Sequence, residues 1–278
     1  MSPPGTSRPR RVAATLEEVR RYFESDCDAV SSPLSAFGVL TPYGQEFLRR
    51  FDHCLRDRII LDAGAGRGVV AVEVAHAHSA FVIALDFSDW VREIPPEAHP
   101  IKGELSRLPL PDGAIDTVIC LEVLEHTINP DQVIAELWRV LRPGGSLILS
   151  TPSYLNMAGL LKICLEACGL YEKDTFAPFD AWKPKVLERG MIATRVHHML
   201  RKQGFAVSKV EGAEIFDAWL PFANRIPGLF ENRSFLRLRE TIDRASSWPL
   251  IKWLSLHGVF HAVRPFDRAE DRDLTRSA

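Results

Sequence analysis

The chain has 278 residues, of which 46% are hydrophobic and 25% charged, which is ordinary for a globular protein with a full-sized core. Its formal net charge of -2 provides no overall field that would attract nucleic acid or an anionic membrane surface. No stretch reaches the ~20 uninterrupted apolar residues of a membrane span, and five cysteines without a C-x-x-C pair are typical of free thiols in a reducing compartment. We therefore expect a cytoplasmic protein with no membrane span and no nucleic-acid partner.

Residues 1–45 are expected to form an N-terminal arm and lid helices. The first eleven residues are rich in Pro, Ser and Arg and contain no apolar segment, as is typical of a disordered arm. Helical spacing follows from Leu16 to Phe23, and a second helix is predicted from about Pro42 to His53. The candidate lid aromatics are Tyr22, Phe37 and Tyr43.

The apolar run from Ile59 to Ala63 predicts a buried parallel strand. It is followed by Gly64, Gly66 and Gly68, and by a helix predicted from Arg67 to about Ala77. Without a Cβ, these glycines permit a tight turn and let a ligand approach the backbone, where the free N–H groups of the helix point into the gap. This strand, turn and helix together predict a nucleotide-ligand site.

The carboxylate of Asp62 at the end of this strand narrows the kind of ligand. Dinucleotide sites have the spacing G-x-G-x-x-G and place a pyrophosphate at the helix N-terminus, whereas this loop has G-x-G-x-G. A carboxylate is unfavourable for a phosphate, but it suits an amino group or fixes the loop by hydrogen bonds. The sequence therefore favours a ligand that carries a cation and disfavours an NAD-dependent oxidoreductase.

The strands that follow extend the same pattern. Ala80–Asp86 is a second buried strand that ends in an acid, and a carboxylate at this position accepts two hydrogen bonds from the vicinal hydroxyls of a ribose. Further strands are predicted at 101–105, 116–121 and 146–150, with a helix after the Asn129-Pro130 cap. Such alternation predicts an α/β fold, a doubly wound parallel sheet with helices on both faces.

Four motifs in this order resemble the class I S-adenosylmethionine-dependent methyltransferases. They are the glycine loop 61–68, Asp86, the segment 121–126 (Leu-Glu-Val-Leu-Glu-His) and the segment 141–145 (Leu-Arg-Pro-Gly-Gly). Within that class the chain is most similar, between Ile59 and Pro152, to the ubiquinone-pathway O-methyltransferases and their small-molecule relatives. The resemblance implies a Rossmann-like, seven-stranded, mostly parallel sheet whose final strand, here His257–Val263, is antiparallel.

The same resemblance implies that S-adenosylmethionine is the cofactor and indicates which residues bind it. Family members recognise the adenine with an acid and the next backbone N–H, and Glu104 stands here where an Asp is usual, followed by Leu105. The expected cofactor-binding residues are Asp62, Gly64, Gly66, Gly68, Asp86, Glu104, Leu105 and Leu121.

We expect a methyltransferase domain over 46–266, helical cap insertions at 153–190 and 217–256, and a loose tail at 267–278. Both insertions are expected to leave the sheet at its carboxyl edge, beside the cofactor. In the first, Tyr154–Leu170 is apolar over most of its circumference, with Lys162 and Glu166 as its one polar edge. The aromatic content of the cap favours a small, apolar or aromatic acceptor of the methyl group, on an oxygen or nitrogen atom.

His126 is the candidate catalytic residue, because it follows the fourth strand, where family acceptors enter, and an imidazole can remove a proton from the acceptor. A structural histidine at a helix entry is equally compatible with the sequence. The spacing of Glu122, Glu125 and His126 also permits a divalent metal site, which His197 or His198 could complete, although we expect no metal. The chain could also be a metal-assisted O-methyltransferase or a non-catalytic cofactor-binding partner subunit.

Overall fold

A computed structural model of the chain describes residues 14–25, 35–36, 39–40, 42–175, 186–223 and 226–266. The predicted arm, the lid candidate Phe37, the side chain of Tyr43, part of the first cap insertion and the tail at 267–278 lie outside the described residues. In the described part of the chain, no helix is long and apolar enough to cross a lipid bilayer.

Strands and helices alternate through most of the described chain. The strands are β1 (Ser35–Ala36), β2 (Val39–Leu40), β3 (Ile59–Ala63), β4 (Phe81–Asp86), β5 (Pro100–Lys102), β6 (Ile115–Leu121), β7 (Leu141–Pro152), β8 (Ala206–Ala213) and β9 (His257–Val263). The helices are α1 (Leu16–Ser25), α2 (Pro42–Arg49), α3 (Asp52–Leu55), α4 (Val69–His78), α5 (Pro130–Val140), α6 (Met157–Ala167), α7 (Ala193–Gln203), α8 (Ile215–Trp219) and α9 (Arg233–Asp243).

Seven of these strands form one sheet in the order β5-β4-β3-β6-β7-β9-β8. All neighbouring pairs are parallel except those of β9, which runs antiparallel to β7 and β8. One face is covered by α5 and α7, and the other by α2, α3 and α4, so that a separate apolar core lies on each side. The predicted doubly wound, seven-stranded sheet with an antiparallel last strand is confirmed.

Two predicted element bounds beside the glycine loop and the third strand are wrong, by two and three residues. Helix α4 begins at Val69 and not at Arg67, because Gly68 precedes it in a left-handed conformation at φ 75°. The third predicted strand ends at Lys102, and Glu104 forms a turn with Arg107 in place of the strand extension. Glu104 and Leu105 therefore lie on a turn beyond the sheet edge.

The polar edge of the cap helix α6, formed by Lys162 and Glu166, faces the interior of the protein. Lys162 is buried at 2% exposure, where its Nζ lies 2.7 Å from Glu166 Oε1, whereas Leu160 and Ile163 are 53% and 63% exposed. Two partners hold Lys162 there, the half-buried Glu166 carboxylate and the Tyr154 ring, whose centroid lies 5.6 Å from Lys162 Nζ. Helix α6 thus places its charged pair inside and much of its apolar face outside.

Both cap segments depart from the same edge of the sheet. The last residue of β7, Pro152, and the last residue of β8, Ala213, are each paired with His257 at the start of β9. Because β7 and β8 are both antiparallel to β9, their carboxyl ends meet at this edge, which is also where β3, β4 and β6 end.

Candidate functional site

The loop after β3 is tightly packed on two sides and open at its centre. Gly64, Gly66 and Gly68 have φ values of 85°, 53° and 75°, which L side chains rarely adopt. A Cβ on Gly64 would lie 2.5 Å from Val123 Cγ2, and one on Gly68 would lie 2.7 Å from Ile94 Cγ2. Around Gly66 no heavy atom of the described chain lies within 4 Å of that position. The backbone at Gly66 is therefore accessible to a ligand.

Asp86 joins this loop to the end of β4. Its Oδ2 accepts a hydrogen bond of 2.8 Å from the Gly66 backbone N–H. Its Oδ1 accepts from the backbone N–H and the hydroxyl of Ser88, at 2.8 and 2.7 Å. The carboxylate thus lies beside the open part of the loop, at the position predicted for a ribose contact, and it is held there by three donors.

Asp62 is buried below the loop and lacks one partner. Burial, and to a smaller extent the nearby charge of Asp86, raise the pKa of Asp62 to about 7, against a hydrogen bond from the Ala71 backbone. Its Oδ2 is buried and has no hydrogen-bond partner within the described residues. A buried oxygen of this kind is satisfied by a cationic donor, so the site fits a ligand that carries an ammonium group.

The remaining predicted cofactor residues lie around the same edge. Leu121 ends β6 and is partly exposed. Glu104 accepts a hydrogen bond from the Ser106 hydroxyl, which turns its carboxylate back toward its own loop. That loop is fixed by α5, because Gln132 Nε2 donates to Ser106 O at 3.0 Å. The structure thus brings the loop glycines, the two aspartates and Leu121 to one edge and places Glu104 and Leu105 on the adjoining turn.

His126 ends a short 3-10 turn that follows β6. Its Nδ1 lies 2.8 Å from the Leu187 carbonyl oxygen, which can only accept, so Nδ1 carries a proton and Nε2 is the basic nitrogen of the neutral ring. Glu188 Oε2 lies 3.5 Å from Nδ1, and the Phe23 ring packs edge-on at 5.0 Å between centroids. The imidazole is oriented by the first cap segment and covered by helix α1.

Among the candidate metal ligands, Glu125 and His126 lie side by side, with Glu125 Oε1 3.8 Å from His126 Nε2. Glu122, at φ 55°, accepts a 2.5 Å hydrogen bond from Ser150 Oγ and pairs with His257 Nε2 at 3.2 Å. Glu125 accepts from Thr151 Oγ1 at 3.1 Å. His197 packs on Trp253, and His198 is exposed on α7. The carboxylates of Glu122 and Glu125 thus have different partners, and the absence of a metal here stays a prediction.

His257 connects the sheet edge to the second cap segment. Its Nε2 faces Glu122 and its Nδ1 lies 2.9 Å from Glu214 Oε2. Burial alone would lower the pKa of His257, but the ion pairs and hydrogen bonds with the two carboxylates outweigh it and hold that pKa well above its usual range. The ring is therefore an imidazolium clamped between two glutamates.

Several residues of this site were missed by sequence reasoning. Phe23 packs on His126, whereas the neighbouring Tyr22 was the predicted lid aromatic. Glu188 lies beside His126 and accepts a 2.8 Å hydrogen bond from the Tyr154 hydroxyl. Only their partners in the folded chain distinguish these residues from other aromatic and acidic residues, so no local pattern could have identified them.

Sequence comparison matches this chain to a family model and to several named relatives. A family model described as "Methyltransferase domain" matches residues 61–149. A "probable S-adenosylmethionine-dependent methyltransferase" of Mycolicibacterium smegmatis is 36% identical over 114 residues, which are 40% of this chain and 44% of that protein. A demethylmenaquinone methyltransferase of Mycobacterium sp. (strain KMS) is 32% identical over 164 residues, 54% of this chain and 69% of that protein.

Solved structures extend the likeness across the fold. An S-adenosylmethionine-dependent methyltransferase from Thermotoga maritima superposes with a TM-score of 0.53 and 17% identity, covering 88% of this chain and 99% of that one. At this identity the likeness shows the fold alone. The chain spans less than half the length of the M. smegmatis relative.

Proposed function

The chain belongs to the class I S-adenosylmethionine-dependent methyltransferases, and from this we propose that it methylates an oxygen or nitrogen atom of a small, apolar or aromatic molecule. The observation that carries the proposal is the joint geometry of the open Gly66 backbone, the Asp86 carboxylate bound to it and the unsatisfied Oδ2 of Asp62. Together they provide a surface for a ribose and an acceptor for a cation at one sheet edge.

The cofactor-binding residues each have a separate task in this proposal. Asp86 binds the ribose hydroxyls, Asp62 faces the ammonium group, and the open backbone at Gly66 lets the ligand approach the loop closely. Glu104, the Leu105 N–H and Leu121 border the adenine. When bound, S-adenosylmethionine supplies a methyl group on a sulfonium, which is already a strong electrophile.

The residues on the acceptor side orient the acceptor and remove its proton. Nε2 of His126 takes the proton, while Leu187 O and Glu188 hold the opposite side of the ring, so that the neutral tautomer presents Nε2. The cap segments at 153–190 and 217–256 and the lid helix over 16–25 enclose the acceptor and exclude water. We infer that these segments form a cap on a methyltransferase domain that spans 46–266.

Two features support a small molecule over a nucleic acid as acceptor. The net charge of -2 gives no overall positive field to attract a polyanion, and the exposed side chains of the cap include large apolar ones such as Leu160 and Trp219. The four described cysteines are free thiols, which agrees with a cytoplasmic location. A non-catalytic cofactor-binding subunit and a metal-assisted reaction are the competing outcomes of the tests.

The first test measures cofactor affinity by calorimetry. Asp86→Ala should weaken S-adenosylhomocysteine binding by about 1.5–3 kcal/mol, the usual contribution of hydrogen bonds to a charged group. Ser88→Ala is the matched control, because it removes one donor to Asp86 and keeps the carboxylate. Unchanged affinity in Asp86→Ala, or binding of NAD by the wild type, would refute the assignment of this edge.

The second test separates binding from turnover. With an acceptor found by screening a panel of phenols, quinones, amines and tRNA, His126→Asn should lower kcat by about 10²–10⁴-fold and leave S-adenosylhomocysteine affinity unchanged. Glu188→Gln should lower kcat less, since the Leu187 carbonyl still holds the ring. Near-native kcat in His126→Asn would exclude the base, loss of turnover with chelator would support a metal, and methylation of tRNA alone would overturn the small-molecule acceptor.

A further inference from the structure

Three side chains with metal-binding donor atoms meet on the sheet face covered by α3, well away from the cofactor edge. They are His53 and Cys54 of α3 and His261 of β9, and one donor atom from each lies within 4.8 Å of the others. His261 lies within β9, where it is paired with Ile148 of β7 and Lys209 of β8. At about 3.3 Å per residue, it lies roughly 13 Å along β9 from His257 at the carboxyl edge.

The hydrogen bonds of His261 fix which of its nitrogens is basic. Ser208 Oγ donates its one hydrogen to the His261 carbonyl oxygen, at 3.0 Å. The same Oγ lies 3.1 Å from His261 Nδ1, so in that contact it must accept, and Nδ1 is the donor. Nδ1 therefore carries the proton and Nε2 carries a lone pair.

That lone pair is left without a partner inside the protein. His261 Nε2 is buried and makes no hydrogen bond within the described residues. A buried acceptor without a partner is costly and uncommon in native structures. Metal-binding histidines typically have this arrangement, with one nitrogen on the ion and the other N–H donated to a neighbouring oxygen.

The other two donors complete an arrangement typical of a transition-metal site. Cys54 is buried and His53 is exposed at the solvent side of the same helix turn. The ring centroids of His53 and His261 are 5.8 Å apart. Two imidazoles and a thiol suit Zn²⁺, whereas Mg²⁺ and Ca²⁺ require oxygen ligands.

We propose that His53, Cys54 and His261 form a zinc site that clips α3 to β9, with water as the fourth ligand. The Cys54 thiol donates to Phe51 O at 3.1 Å in the structure. Binding replaces the S–H bond by a zinc–sulfur bond and releases one proton to solvent. Because α3 leads directly into β3, a zinc ion that joins α3 to β9 stabilises the strand that carries the glycine loop. This inference is independent of the methyl-transfer proposal.

The test uses full-length, untagged protein in which Cys27, Cys164 and Cys168 are replaced by serine, so that these three thiols bind no metal. Titration with Co²⁺ should give one ion per chain and a thiolate-to-cobalt charge-transfer band in the near ultraviolet. Cys54→Ser should abolish that band, and His53→Ala and His261→Gln should each weaken binding by tenfold or more. His76→Ala is the matched control, since His76 is exposed on α4 and should leave affinity unchanged.

A second readout uses thermal unfolding with Zn²⁺ as the only addition. The melting temperature of the wild type should rise with Zn²⁺, because an ion bound only by the folded state stabilises it by mass action. In His53→Ala, where an exposed side chain is removed and the fold is retained, this rise should disappear. The proposal would be overturned if the wild type did not bind Zn²⁺ or Co²⁺ in the micromolar range. It would also be overturned if His53→Ala and His261→Gln bound the ion as tightly as the wild type does.

Discussion

The region at 59–152, which carries the sheet edge, and the cap segments at 153–190 and 217–256 bury their side chains in different ways. At the sheet edge, apolar strands are buried and the backbone turns on glycine, as at Gly64, where only a missing Cβ fits beside Val123. In the cap, a charged side chain is buried beside its ion-pair partner while several large apolar ones are exposed: Lys162 is 2% exposed and Leu250 is 81% exposed. The stability of the sheet edge therefore depends on close packing. The stability of the cap depends on matched charges, and the cap presents large apolar residues to a ligand or to solvent.

The largest effect should come from breaking the charge pairs that connect the two regions. His257→Gln leaves the half-buried carboxylates of Glu122 and Glu214 without the buried cation between them, and should cost about 3 kcal/mol of unfolding free energy. Because the pKa of His257 is raised on folding, its contribution is fully present below ~6.5 and is lost as the pH rises through the folded pKa.

Urea unfolding at a series of pH values from 6 to 9 measures both effects. Wild-type stability should decline over this range relative to His257→Gln, which lacks the titrating ring. His198→Gln, at an exposed position of α7, is the matched control and should follow the wild type. Equal stability of His257→Gln and wild type at pH 6 would mean that the two regions are not held together by this ion.

The sequence allowed prediction of the first region because its signals are local. Gly64, Gly66 and Gly68, the strand-end acids and the alternation of strand and helix can each be recognised within a few residues, and the family resemblance covers the same part of the chain. Its element bounds were wrong by two or three residues, at the start of α4 and at the end of β5.

The cap could not be predicted in the same way, because its stabilising contacts join distant segments. The spacing of Lys162 and Glu166 indicates an ion pair on one helix, but the burial of Lys162 depends on contacts with other residues, such as the Tyr154 ring. His257 likewise pairs with Glu122 and Glu214, from three separate parts of the chain. Pairings between such distant segments leave no periodic pattern in the amino-acid sequence.

An intermediate effect is expected from the charge of the sheet edge itself. Since the pKa of Asp62 is about 7 without ligand, an ammonium group beside it favours the carboxylate and lowers that pKa. Binding of S-adenosylhomocysteine at pH 6 should therefore release up to one proton, and affinity should rise with pH by at most about tenfold per unit until about pH 7.

Calorimetry in two buffers of different ionisation enthalpy, at pH 6 and pH 8, counts the released protons. Asp62→Asn should remove the release at pH 6, whereas Asp131→Asn, at an exposed position of α5, should retain it. If the wild type releases no proton at pH 6, Asp62 does not face the ammonium group, and the sheet edge recognises its ligand by shape alone.

The smallest effect should come from the exposed apolar face of the cap, and it tests whether that face contributes to folding. Ile163→Ser on α6 should change the free energy of unfolding by no more than about 0.5 kcal/mol, because its side chain is 63% exposed. The matched variant is Ile134→Ser on α5, where the same exchange at 1% exposure leaves a cavity and an unsatisfied hydroxyl and should cost several times more. Because both positions are helical and the exchange is identical, helix propensity cancels and only burial differs. A large loss of unfolding free energy in Ile163→Ser would show that the cap face is buried against another segment in solution. The two regions would then differ in what covers their apolar side chains, and not in whether those side chains are buried.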